Sequence, residues 1–264
     1  MTTAYADGKM LAEVSEGVGL ITFNQPEKRN AMSVAMWHGL AEILDAFEAD
    51  DSVRTVVMTG AGTKAFVSGA DISQFEQTRA DGNAQLEYDR LTGAGRARLA
   101  AFPKPVIASI RGFCLGGGLG IAMQADLRIC GAGAQFGIPA ARLGIAYSYE
   151  MVERLVSLVG QAQARMIIMS GERLDAAEAG RIGLVNRVVP DEALDEVVLG
   201  LARTIAANAP LSLRATKLTV NAVIAGGGDR AAVDAAILAC FDSADYREGR
   251  TAFMEKRPAK WQGR

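Results

Sequence analysis

Gly112-Phe113-Cys114-Leu115-Gly116-Gly117-Gly118-Leu119-Gly120-Ile121-Ala122-Met123 decides how this chain folds. The apolar run Pro105-Val106-Ile107-Ala108-Ser109-Ile110 before it reads as a buried strand. The small and apolar residues after the glycines read as a helix. Three consecutive glycines between the two leave a backbone without Cβ atoms, which a bound molecule can approach closely. The first N–H groups of a helix have no partner within it and point out of its N-terminus. There they can donate to an oxygen that gains negative charge. The plainer reading is a glycine-rich connection that only lets a helix pack tightly on a strand.

Outward from this centre, strand and helix signals alternate. Met10–Val14 and Val18–Phe23 form a hairpin around Ser15-Glu16-Gly17. Ser33 is the N-cap of an amphipathic helix, with Met36, Leu40, Ile43, Leu44 and Phe47 at helical spacing up to Glu48. Val53–Thr59 is a strand that runs into a second small-residue loop, residues 60–72. Residues 73–101 read as a polar helix, weakened by Gly82, Gly93 and Gly95, and serve either as a mobile lid or as a plain surface helix. Leu127–Cys130 is a strand, and residues 135–150 an irregular loop before a helix from Met151. The remainder is helical over 161–170, 174–181, 191–207, 211–225, 230–241 and 244–256, with a strand near Leu184–Val189. This order predicts an α/β fold with helices covering the sheets. The main domain spans residues 1–200, with a C-terminal helical region over 201–264.

Composition narrows the chemistry. The chain has 264 residues, 50% of them hydrophobic, and a net charge of -2, enough for one large core. Acidic and basic residues are mixed, so no basic stripe points to nucleic acid. No apolar run is long enough to span a membrane, and the first residues carry no signal-peptide pattern. Cys114, Cys130 and Cys240 have no CxxC spacing and read as reduced thiols of a cytoplasmic protein. His38 is the single histidine, which excludes a Ser-His-Asp triad and a multi-histidine metal site. A phosphate-binding GxxxxGK[ST] loop is absent.

With both glycine loops placed, the chain resembles the crotonase (enoyl-CoA hydratase/isomerase) superfamily over essentially its whole length. Five matches occur in order: Lys28-Arg29-Asn30-Ala31; Lys64 to Ile72; Lys104-Pro105-Val106-Ile107-Ala108 leading to Gly116-Gly117-Gly118; Ala176-Ala177-Glu178-Ala179 with Gly183-Leu184-Val185; and Arg247 to Arg257. The resemblance implies a spiral of ββα units and a C-terminal region that assembles trimers, or hexamers as pairs of trimers. It implies an acyl-CoA thioester substrate and no cofactor beyond the CoA of that substrate. Its oxyanion hole falls on the backbone N–H groups of Ser68 and Gly117. Lys28, Arg29, Lys64, Ala65, Ala70, Asp71 and Ile72 match segments that meet CoA. Phe253 and Lys256 match positions that reach CoA from a neighbouring subunit. The lysines read equally as solvated surface charges, and Phe253 as helix packing.

The chain departs from this family where hydratases carry two glutamates. Those places hold Gly120 and Ala140, neither of which can transfer a proton. General acid–base catalysis contributes about 10²–10⁴-fold per group. The aspartate of some isomerases falls near Ser148. The polar groups left nearby are Tyr147, Ser148, Tyr149 and Glu150. Tyr147 matches a tyrosine of the methylmalonyl-CoA decarboxylase branch, as does the tail. That branch, however, keeps a glutamate after its glycines and has a histidine where this chain has Ala70. Glu150 either enters the pocket as a substitute acid or faces solvent at a helix start, where the dipole favours a carboxylate. Three functions remain open: an enolate-stabilising enzyme of the hydratase/isomerase type, a decarboxylase or hydrolase of a CoA thioester, and a non-catalytic acyl-CoA binding protein.

Overall fold

Glu16 and Gly17 adopt positive φ, 51° and 81°, as a two-residue hairpin turn requires. Around that turn the computed structural model, which describes residues 1–71 and 82–264, builds an antiparallel ribbon. Its strands are β1 (Thr3–Tyr5), β2 (Met10–Ser15) and β3 (Val18–Phe23). Helix α1 (Val34–Ala49) starts at Ser33, whose hydroxyl accepts the Met36 N–H at 3.3 Å. Its face of Met36, Leu40, Ile43, Leu44 and Phe47 is buried.

From there the chain winds in repeating units of two strands and a helix. The first is β4 (Thr55–Gly60), β5 (Ala65–Val67) and α2 (Gly82–Ala100). The second is β6 (Val106–Ile110), β7 (Phe113–Leu115) and α3 (Gly117–Gln124). The third is β8 (Leu127–Gly131), β9 (Gln135–Gly137) and α4 (Tyr149–Ser170). Then come β10 (Arg173–Asp175), α5 (Ala176–Arg181), β11 (Arg187–Val189) and α6 (Leu194–Ala206). The first strand of each unit joins a seven-stranded sheet of order β1-β2-β3-β4-β6-β8-β11. The second joins a four-stranded sheet of order β10-β9-β7-β5. This is the ββα spiral that the resemblance implies.

The strands β3, β4, β6, β8 and β11 pair in parallel. Such strands are buried on both faces, which is why Val106–Ile110 reads as a continuous apolar run. One face packs on α1 and the main core. The other is covered by α6, where Leu194, Val198 and Ala202 meet Val18, Val57, Ile107 and Ile129. The boundary expected between residues 200 and 201 falls inside this helix. Helices α7 (Pro210–Ile224), α8 (Arg230–Asp242) and α9 (Ala244–Glu255) follow, α8 packing on α7 and α9 on α8. The tail turns back onto α9, where the buried Asp245 carboxylate accepts the N–H groups of Gln262 and Gly263 at 2.6 and 2.9 Å.

Two expectations are corrected. The second glycine loop and the segment after β8 contain strands β5 and β9, whose three residues each are too few for a periodicity to show. The helix expected from Met151 starts at Tyr149, and Gly160, at φ 74° and ψ 165°, breaks it from the part beginning at residue 161. Of the segment read either as a lid or as a surface helix, the described part, α2, packs closely on α1, since a Cβ on Gly95 would come within 2.5 Å of the Trp37 carbonyl oxygen. The first residues of that segment, 73–81, lie outside the described residues. Among the described residues, no helix is long and apolar enough to cross a membrane.

Candidate active site

The site is built where α3 begins. Gly116, at φ 55° and ψ −122°, makes the turn out of β7, a conformation open to glycine and strained for other residues. Gly120 is the first residue to close a helical bond, its N–H donating to the Gly116 carbonyl at 3.1 Å. The N–H groups of Gly117, Gly118 and Leu119 therefore have no acceptor inside α3, and no side chain caps them. Helix α3 touches the backbone of β5: a Cβ on Gly118 would overlap the Val67 carbonyl oxygen and lie 2.7 Å from its carbon. That close approach carries Gly117 to the loop after β5. A Cβ on Gly117 would sit 3.8 Å from the Ala70 nitrogen and 3.9 Å from the Gly69 carbonyl carbon.

The loop after β5 settles which N–H faces Gly117. The Ser68 N–H donates to the Arg29 carbonyl at 3.1 Å and is used by the fold. Met32 pairs with Ala70 in a parallel bridge: the Met32 N–H donates to the Gly69 carbonyl at 2.8 Å, and the Asp71 N–H to the Met32 carbonyl at 2.9 Å. In extended backbone, successive N–H groups point in opposite directions. The Ala70 N–H thus turns away from Met32, to the side where Gly117 stands. The Ser68 N–H, expected as a donor, is thus taken up by the Arg29 carbonyl, and the Ala70 N–H is the one that lies beside Gly117.

Around this pair the structure sets few polar side chains. The Tyr147 hydroxyl lies 3.4 Å from the place of a Cβ on Gly116, at the mouth of the glycine turn, and its ring is half-buried against the core. Ser148 is the exposed N-cap of α4. Glu150 is exposed in the first turn of α4. Its own N–H and the Ser148 hydroxyl donate to its carboxylate and hold it below the usual carboxylate range. This is the helix-start reading of Glu150. At Gly120 a Cβ would overlap Met151 Cε and lie 2.8 Å from Met151 Sδ, so a methionine fills that side-chain space. Ala140 is buried in the 3-10 turn Pro139–Leu143.

The residues matched to CoA segments are placed as follows. Lys28 Nζ meets the buried Asp71 Oδ2 at 2.7 Å, so these two are paired with each other. Arg29, at φ 54°, stacks over the Phe113 ring at 5.3 Å, and Arg173 also lies over that ring at 5.1 Å. Lys64 is exposed, and its carbonyl takes the Phe113 N–H at 3.0 Å. Ala65 is buried in β5, and its carbonyl accepts Asn30 Nδ2. Ile72 lies outside the described residues. Phe253 is exposed on α9, and Lys256 is the exposed C-cap of that helix at φ 54°.

Sequence reading alone gave no role to three residues that shape the site, Asn30, Arg154 and Arg128. Asn30 is fully buried, with Nδ2 donating to the carbonyls of Ala61 and Ala65 at 3.0 and 2.8 Å and Oδ1 accepting the Gln25 N–H at 3.0 Å. It ties the loop before α1 to β5, and its φ of 57° is a conformation that asparagine tolerates. Arg154 reaches from α4 to the end of α3, where its Nε donates to the Met123 carbonyl at 2.8 Å. Arg128, buried and shifted by burial down to about 10, satisfies the Ala125 carbonyl at 2.7 Å. Two cations thus finish the C-terminal end of the helix whose N-terminal end faces Ala70, and at that C-terminal end they suit the helix dipole.

The geometry has counterparts. Residues 13–264 match the enoyl-CoA hydratase/isomerase family model. The chain is 36% identical to the short-chain-enoyl-CoA hydratase of Clostridium acetobutylicum, over 94% of this chain and 95% of that one. It is equally 36% identical to the crotonyl-CoA hydratase of Syntrophomonas wolfei, over 96% and 97% of the two chains. The crystal structure of an enoyl-CoA hydratase/carnithine racemase from Magnetospirillum magneticum superposes with a TM-score of 0.93 at 35% identity, covering 97% of this chain and 96% of that chain.

Proposed function

Because the chain belongs to the enoyl-CoA hydratase/isomerase family of the crotonase superfamily, we propose that it holds the thioester oxygen of an acyl-CoA between the N–H groups of Ala70 and Gly117. As an enolate forms, negative charge moves onto that oxygen, and two fixed donors at a helix N-terminus stabilise it more than they stabilise the neutral carbonyl. The observation that carries this reading is the placement of the Ala70 nitrogen beside Gly117 while the Ser68 N–H is held by Arg29.

The acid–base set is altered. Position 120 is a glycine overlaid by Met151, position 140 is a buried alanine, and Glu150 is an exposed, readily ionised carboxylate. A second reading therefore has support: cleavage of a carboxylate or of the thioester itself. In decarboxylation the C–C bond breaks, its electron pair passes into the thioester as an enolate, and no base has to take an α-proton. The Tyr147 hydroxyl at the glycine turn is positioned to orient the departing carboxylate. CoA would lie along Arg29, Lys64 and the Lys28–Asp71 pair. The exposed Phe253 and Lys256 would reach the CoA of a neighbouring subunit in a trimer or hexamer, assembled through the helices after α6.

The test is a panel at near-stoichiometric enzyme: crotonyl-CoA for loss of enoyl absorbance, malonyl- and methylmalonyl-CoA for CO2 release, and butyryl-CoA for free thiol. Hydration of crotonyl-CoA supports the hydratase type with another proton donor. CO2 release supports the decarboxylase. Tight CoA binding with no turnover of any ester would overturn the enzymatic reading in favour of a binding protein.

A further inference from the structure

We propose that Met151 is a specificity-determining residue: its thioether fills the side-chain space of position 120, one helical turn beyond the hole, and so keeps water and any proton-transferring group out of the acyl side of the site. The inference rests on the Ala70–Gly117 hole proposed above.

The geometry has three parts. Gly117 and Gly120 are three residues apart in α3, so they lie on one face of the helix. A thioester whose oxygen sits on the Gly117 N–H has its α-carbon two bonds away, within the reach of a side chain at 120. That space is occupied, since a Cβ on Gly120 would overlap Met151 Cε and lie 2.8 Å from Sδ. The part of α4 that carries the occupant is also held against α3. Three residues on from Met151, Arg154 Nε donates to the carbonyl of Met123, which is three residues on from Gly120. The two contacts step together along α3 and α4, so the Arg154 bond sets the depth to which Met151 enters. A thioether neither transfers protons nor holds water firmly, and it lends the acyl group an apolar, adaptable wall. Glycine at 120 and methionine at 151 therefore act as one unit.

The experiment uses butyryl-CoA in D2O, with deuterium at the α-carbon read by mass spectrometry, on the wild type, Gly120→Glu, Met151→Ala and the double variant. With a carboxylate installed, the α-C–H bond breaks, the proton passes to the carboxylate, the electron pair is held as an enolate at the hole, and a deuteron returns from solvent. The expected result is exchange about 10²-fold faster in the double variant than in the wild type. With Met151 in place, Gly120→Glu stays within tenfold of the wild type. Gly120→Glu alone matching the double variant would overturn the inference. So would a double variant that binds butyryl-CoA without added exchange. Failure of the wild type to bind butyryl-CoA would instead bring down the acyl-CoA reading and this inference together.

A thermal cycle judges the packing without any substrate and decides the matter if the glutamate variant does not fold. Gly120→Ala should lower the melting temperature beside Met151 and raise it in the Met151→Ala background, where the new methyl group has room. The same shift in both backgrounds would show that the two residues do not share that space.

Discussion

Replacing Gly117 by proline removes one donor of the proposed hole while leaving the start of α3 intact. Gly117 is the first residue of that helix, where proline is well accommodated and its missing N–H breaks no helical bond. The residue before it is Gly116, which has no Cβ to meet the ring and whose ψ of −122° lies outside the helical region that a following proline disfavours. At the Cβ position nothing is nearer than the Ala70 nitrogen at 3.8 Å. Glycine to proline at a compatible site changes stability by about 0.4–1 kcal/mol, through the unfolded chain. In a domain of this size each kcal/mol moves the melting temperature by about 2–4 °C. Loss of a hole donor costs about 10²–10³ in rate, or about 2.7–4 kcal/mol. The two effects are well separated. The assay is titration with acetoacetyl-CoA, whose enolate absorbs in the near ultraviolet and presents the charge that the hole would bind. Gly117→Pro should weaken enolate formation on the protein by about 10²-fold, since only one of two donors remains, with little change in melting temperature. A folded Gly117→Pro variant that stabilises the enolate as well as the wild type would refute the placement of the hole.

The other expectations concern α3, α4 and the tail. Gly118→Ala must push α3 away from β5, because the obstacle is the rigid Val67 backbone; it should lower stability by an amount at the upper end of about 1–3 kcal/mol, and an unchanged urea midpoint would contradict the contact. Glu150→Gln should leave turnover and its pH profile unchanged, because the carboxylate is held ionised at the helix start; disappearance of either limb of the profile would restore Glu150 as an acid. Glu248 is held down to about 2, first by the Arg257 guanidinium and then by the Lys260 N–H. A lowered carboxylate adds stability above its ordinary value of 4.5 and loses it as pH falls toward about 2. The melting temperatures of wild type and Glu248→Gln should therefore differ at pH 6 and converge near pH 2, and a constant difference would mean that the Arg257 pairing does not set it.

The large sheet and its helices were legible because their signals are long. Val106–Ile110 is a full apolar strand, Ser33 is followed by four turns of amphipathic helix, and the hairpin carries its turn at Glu16-Gly17. The small sheet was largely hidden. Its strands β5, β7, β9 and β10 have three residues each and lie among glycines. They are strands because neighbouring units of the spiral bring them together, and that information is absent from any one window. The surface-helix reading of residues 82–100 rests on packing of the same kind. The glycines of α2 look like weaknesses, yet Gly95 is where Trp37 of α1 approaches most closely.

At the candidate site, the two glycine loops were readable in the sequence and the directions of their N–H groups were not. Every residue except proline offers the same N–H, so side-chain chemistry cannot separate Ser68 from Ala70. The choice is made by the segment alongside: Arg29 takes up the Ser68 N–H, Met32 takes up the Asp71 N–H, and within the Met32–Ala70 bridge alternation turns the Ala70 N–H away from Met32, to the side of Gly117. The resemblance implied the Ser68 amide as a donor, while the fold uses that amide to hold Arg29. Met151 gave no signal either, since a methionine at a helix start is ordinary in sequence. Its meaning comes from Gly120 across the helix pair, and the glycine itself was read only as a missing acid. The absence of a side chain at 120 and the presence of one from 151 are the same fact about packing, because a close-packed interior leaves room for one of them.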